Sequence, residues 1–108
     1  MNRLKRNRPL LDYIIRAEPT TVKAIFKTLK QEDVQFFGEI CANLLAGALK
    51  INTSNKTLLR PYAEIIRKVA RREIRPITRQ RLLIKNSEAI IQLIKLIYSK
   101  LYPKNGSH

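Results

Sequence analysis

Cysteine, histidine and glycine are nearly missing from this chain, and each shortage removes a class of chemistry. Cys41 is the only cysteine among 108 residues, so neither an intrachain disulfide nor a Cys-rich zinc site can form. A lone thiol suits a reducing compartment, and its expected role is that of a small buried apolar residue. The one histidine, His108, follows Gly106 and Ser107 in a terminus that reads as a cloning remnant and takes no part in the functional reasoning. Three glycines make no Gly-rich phosphate loop, and without a usable histidine the commonest general base is gone. No enzymatic activity is expected, and no cofactor, metal or small-molecule substrate.

Long apolar runs are also lacking. No stretch reaches the ~18 uninterrupted apolar residues that a bilayer span needs, and the opening MNRLKRNRPL has no signal-like apolar core. The expectation is a soluble intracellular protein, in the nucleus, or in a virion core if it is viral. Period-two alternation never lasts long enough for a strand. An apolar fraction of 44% nevertheless supports a folded core and is too high for a disordered basic tail. A domain of this size buries only about 60 to 65% of its unfolded surface, so that core must be compact.

Negative charge is the last scarcity. Lys and Arg number 22 against 8 Asp and Glu, a formal net charge of +14. From Lys50 to Lys85 eleven basic residues face only Glu64 and Glu73, while residues 9–48 are nearly neutral. A cationic surface of this density favours a polyanion as partner.

Periodicity and punctuation predict an all-α compact bundle of five or six short helices. Residues 1–8 form a basic flexible arm, 9–103 a single helical domain, and 104–108 a tail. Pro9 opens a first helix with Leu10, Leu11, Ile14 and Ile15 on one face, ended by Glu18 and Pro19. A second starts at Thr20 or Thr21 and carries Val22, Ile25, Phe26 and Leu29. Gln31, Glu32 and Asp33 suit the positive start of a third, which runs inward through Val34, Phe37, Ile40, Cys41, Leu44, Leu45 and Ala48. Gly47 suits its left-handed stop, and Gly38 in its middle predicts a close helix crossing. Asn52 to Asn55 is turn chemistry. A fourth helix follows through about Ile74, with Leu59, Tyr62, Ile66, Val69 and Ala70 inward; Pro61 means either that regular helix starts only at Arg60 or that an earlier turn is kinked. Past Pro76, with Thr78 as cap, a short helix reaches Lys85; Asn86 and Ser87 then cap a final helix, Glu88 to Tyr102, whose apolar surface is broad. That surface either packs as core or forms a homodimer contact through residues 88–102; core with partial dimer contact is expected.

The candidate site is the basic middle. Arg60, Arg67 and Arg71 fall on one face of the fourth helix, Lys68, Arg72 and Arg75 flank them, and Arg79 and Arg81 extend the patch past Pro76. Arginine contacts phosphate oxygens bidentately, so this composition suits a nucleic-acid backbone better than solvation alone requires. A solvated face would mix both signs. Arg3, Lys5, Arg6 and Arg8 on the arm reach a groove or a phosphate backbone, or serve as a nuclear-localisation cluster. DNA is favoured over RNA as the partner, and a membrane is disfavoured. The alternative is an interaction module whose basic face docks on an acidic protein. Glu32, Asp33 and Glu39 read as helix-start and solvated-face carboxylates, not metal ligands. Asn43 is either hydrogen-bonded inside a helix interface or exposed.

Glu39 to Asn43, then Leu45, Ala46 and Gly47, then Leu59, Arg60, Ile66, Arg67, Lys68, Val69, Ala70 and Ile74 carry a resemblance. Across Lys27 to Ile84 the chain resembles the small basic helical protein of Maverick/Polinton-type elements and adintovirus-like viruses. The resemblance implies a viral or mobile-element core protein for which genome condensation would require the cationic face. The chain departs from that pattern at Pro61 and Pro76 and after Lys85, where it has a capped helix instead of a Gly-rich apolar stretch.

Overall fold

A computed structural model describes residues 2–47 and 57–103. Seven α-helices lie within them, and no strand occurs among the described residues. They are α1 (Asn2–Arg6), α2 (Arg8–Arg16), α3 (Pro19–Phe26), α4 (Gln31–Leu45), α5 (Ala63–Ala70), α6 (Pro76–Lys85) and α7 (Ser87–Leu101). Residues 57–59 are helical too and lead through a 3-10 turn, Arg60–Tyr62, into α5. The expected all-α bundle is therefore present, with seven helices among the described residues where five or six were expected; residues 2–6, expected within a basic flexible arm, are helical. Asn52 to Asn55 and Ala48 lie outside the described residues.

Proline sets most of the boundaries. Pro9, Pro19, Pro61 and Pro76 each occupy a first or second helical position, where the missing N–H costs nothing and the fixed φ suits the first turn. Thr20, Thr21 and Thr78 consequently lie inside their helices, not at the caps, which are Glu18 and Arg75. At α4 the Asp33 carboxylate accepts from the Lys30 N–H at 3.3 Å, and Gly47 ends the segment at φ +73, the left-handed geometry expected of it. Asn7 and Asn86 play matching roles at two junctions. Each side-chain amide donates back to the carbonyl four residues earlier, Arg3 or Leu82, while its own carbonyl accepts from the next helix, at Leu11 or Ile90. One residue thus closes one helix and opens the next.

Helix α7 packs on α2, α3 and α6, and α4 packs most extensively on α5 and then on α6. Between them lie Leu11, Ile14, Val22, Phe26, Phe37, Ile40, Leu83, Ile90, Leu93, Ile94 and Ile97, all buried. Phe37 meets both Phe26 and Phe36 edge-on, with ring centroids 5.6 and 6.0 Å apart. The broad apolar surface of α7 is consumed inside the chain. What α7 leaves exposed is Glu88, Gln92, Lys95, Ser99 and Lys100, a polar face. Leu45, expected to point inward, is half exposed at the end of α4.

The two termini meet at a tyrosine cluster. The Tyr102 hydroxyl donates to the Leu4 carbonyl at 2.5 Å, the Tyr98 hydroxyl donates to Asp12, and the Arg8 guanidinium sits 5.1 Å over the Tyr102 ring. Burial pushes the Tyr102 phenol up to about 12; the Arg8 charge opposes that rise and the Asp12 charge adds to it.

Candidate nucleic-acid interface

Helix α5 is amphipathic: Ile66 and Val69 are buried, and Arg67 and Lys68 face solvent. It is shorter than its hydrophobic pattern predicts, ending at Ala70 instead of near Ile74. Arg71 has left the helix, with φ −59 and ψ 129, and residues 71–75 form a turn that delivers Arg75 as the N-cap of α6. Arg60 lies in the 3-10 turn before α5. The expected single helical face of Arg60, Arg67 and Arg71 therefore does not exist. Its place is taken by a corner, in which Arg67 and Lys68 sit on α5, Arg71, Arg72 and Arg75 on the turn, and Arg81 on α6, all exposed.

Arg79 is the residue the structure removes from the surface. It is only 7% exposed, its Nε donates to the Val69 carbonyl at 2.8 Å, and its Nη2 donates to the Arg71 carbonyl. These are carbonyls that the end of α5 leaves without helical partners, and a cation there also complements the helix dipole. Arg79 is a side-chain cap for α5, with most of its guanidinium withdrawn from the surface. The glycine expected to mark a helix crossing belongs to the same device. A Cβ at Gly38 would lie 2.8 Å from both Cζ and Nε of Arg79, so the close approach is made by a guanidinium lying against α4. Two signals in the sequence pointed here: the mid-helix glycine, and the spacing of four between Arg79 and buried Leu83, which puts Arg79 on the inner side of α6.

Cys41 lies on α4 beside this cap. Burial pushes its thiol up to about 12, against the opposing pull of the Arg79 charge, so at neutral pH it is an uncharged packing residue.

The N-terminal cations divide in a similar way. Arg3 is half-buried and pairs with Glu39 of α4 at 2.5 Å, which docks α1 against the bundle. Arg8 is engaged with Tyr98, at 3.3 Å, and with the Tyr102 ring. Lys5 and Arg6 remain exposed. In the basic corner only Lys68 has a carboxylate partner among the described residues, Glu64 at 3.0 Å. That hydrogen bond, with the charges of Lys68 and then Arg67, holds the Glu64 carboxyl below its ordinary value. Arg60, Arg67, Arg71, Arg72, Arg75 and Arg81 form no ion pair among the described residues. Tyr62 is half-buried against the core, as its spacing predicted.

A groove of about 500 Å³ separates α4 from the turn after α5. Gln35, Gly38, Glu39, Ala42 and Asn43 line it from α4, and Ala70, Arg72 and Arg79 line the other side. Glu32 is exposed, Asp33 is occupied at the start of α4, and no group of three His, Cys, Asp or Glu among the described residues could hold a metal. None of the described helices is long and apolar enough to cross a membrane. No protein-family model matches the chain, and neither a curated protein nor a solved structure is significantly similar to it.

Proposed function

We propose that this protein binds nucleic acid through phosphate contacts from its basic corner, with little sequence preference, and serves as a core or packaging protein of a virus or mobile element, in the nucleus or the virion. One observation carries the reading: Arg67, Arg71, Arg72, Arg75 and Arg81 are exposed without a carboxylate partner among the described residues, around a turn that two packed helices hold in place, and Arg60 is likewise exposed and unpaired at the other end of α5. Unneutralised arginines on a fixed scaffold cost self-repulsion in the free protein, and a polyanion relieves it. Guanidinium groups suit phosphate oxygens, and nothing in the corner resembles a recognition helix carrying base-reading side chains into a groove. Lys5 and Arg6 add to the same attraction from α1.

With ~5 phosphates neutralised, log K should fall against log salt with a slope of about −4 to −5 on duplex DNA. DNA is favoured as the packaged polymer. Fluorescence anisotropy with random duplex DNA, single-stranded DNA and RNA at several salt concentrations measures this directly. Arg67→Glu with Arg71→Glu should abolish most of the affinity for every probe. Unchanged, salt-sensitive binding by that variant would remove the reading, and so would a flat salt response of the native chain.

A further inference from the structure

The groove between α4 and the 71–75 turn has a composition that phosphate binding alone does not explain. Glu39 would repel an anion, yet it is already neutralised by Arg3 at 2.5 Å. The Nε and Nη2 of Arg79 are committed to the Val69 and Arg71 carbonyls, and the residue is almost wholly buried. What the groove offers a ligand is therefore the exposed Arg72 on one side and two carboxamides, Gln35 and half-buried Asn43, on the other. Neither carboxamide has a hydrogen-bond partner among the described residues. Asn43 is thus neither of the things its position in the sequence suggested, being neither bonded within a helix interface nor fully exposed.

A carboxamide presents a donor and an acceptor side by side, which matches the edge of a heterocyclic base and adds nothing for a simple anion. The floor is Gly38, buried under the Arg79 guanidinium, and Ala42, whose short side chain leaves room for a flat ring. The volume falls within the ~300 to 1,000 Å³ range of small-ligand clefts. A base inside a duplex could not enter it, because its edge is paired and its faces are stacked; an unstacked base of a single strand can.

We propose that this groove takes one unstacked nucleotide of a single-stranded nucleic acid. Its base edge lies against Asn43 and Gln35, with adenine preferred for its adjacent donor and acceptor, and its phosphate lies at Arg72. This rests on the nucleic-acid reading above and adds to it a strand type and a base preference. Arg72 belongs to both surfaces, so the strand runs from the groove onto the basic corner.

The test compares anisotropy titrations of the native chain, Asn43→Ala, Gln35→Ala and Ala42→Leu with oligo(dA), oligo(dT), a duplex of random sequence and adenosine monophosphate. Gln35 is exposed and its replacement leaves the core untouched, which guards against loss of fold in the other two. The native chain should bind oligo(dA) ahead of oligo(dT). Each groove variant should weaken oligo(dA) binding about fivefold or more and narrow that preference, while duplex affinity and its salt slope stay the same. Unchanged oligo(dA) binding and base ranking in all three variants overturns the groove inference alone, provided the salt-dependent duplex binding persists. Absence of binding to any polyanion overturns both readings. Adenosine monophosphate bound as tightly as the oligonucleotide overturns the single-strand assignment.

Discussion

A methyl group added at Gly38 should have opposite effects on stability according to what stands at position 79. In the native chain the new Cβ would sit 2.8 Å from Cζ and Nε of Arg79. The end of an arginine is ordinarily free to move aside. Here it is buried and donates to Val69 and Arg71, so displacement strains or breaks bonds from a charged donor worth about 1.5 to 3 kcal/mol each. Overpacking costs about 1 to 3 kcal/mol against the ~1 kcal/mol that alanine gains over glycine inside a helix, so Gly38→Ala should destabilise by up to about 2 kcal/mol. Arg79→Ala should cost about 3 to 5 kcal/mol, since it deprives two carbonyls of their donor at a buried helix end. In that background the obstruction is gone, and Gly38→Ala should stabilise by ~1 kcal/mol. The coupling, about 1 to 3 kcal/mol, is above the ~0.5 kcal/mol scatter of independent sites. Urea denaturation followed by far-UV circular dichroism on the four proteins measures it. An equal effect of Gly38→Ala in both backgrounds would refute the packing argument.

Arg79→Ala should also leave the salt slope of nucleic-acid binding unchanged under conditions where it remains folded, whereas Arg81→Ala should reduce the slope by about 1. Stability should decline as pH rises from 9 to 12, because an unfolded Cys41 begins to ionise at its ordinary value of 9.0 while the buried thiol keeps its proton to about 12. Tyr102 adds to the decline between 10.0 and about 12 by the same sign. Thermal melts from pH 8 upward should therefore fall less steeply for Cys41→Ala than for the native chain; equal slopes would contradict the burial argument. Phe37→Ala, which removes a ring packed on two others, should cost about 3 to 5 kcal/mol in urea titrations, a large part of the whole stability of a domain this size. Gly47→Ala should cost ~1 kcal/mol through its positive φ, since nothing among the described residues lies within 4 Å of a Cβ there.

Much of the molecule could be read from residue types in order. Helical spacing named most of the buried side chains, among them Leu11, Val22, Phe26, Phe37, Ile66 and the α7 series, because an apolar stripe at that period has only one way to leave water. Pro9 marked a helix start for an equally local reason, while Pro19 and Pro76, read as a stop and an interruption, turn out to open the helices that follow. The N-terminal cations were harder. Whether Arg3 and Arg8 reach outward depends on Glu39, 36 residues away, and on Tyr98, 90 residues away, and local pattern carries no information about either.

The basic corner shows where local determination stops. Composition and spacing alone settled that the middle of the chain is cationic and helical, since charge and amphipathic period belong to the residues themselves. Tertiary structure decided which of those cations face outward. Propensity would have carried α5 on toward Ile74; it stops at Ala70, where a guanidinium from the next helix satisfies the carbonyls of Val69 and Arg71. That one contact turns Arg79 inward, throws Arg71, Arg72 and Arg75 onto a turn, and opens the groove beside Asn43. The end of a helix is fixed by whatever partner its last carbonyls find, and here the partner becomes available only once α6 has folded back against α4 and α5.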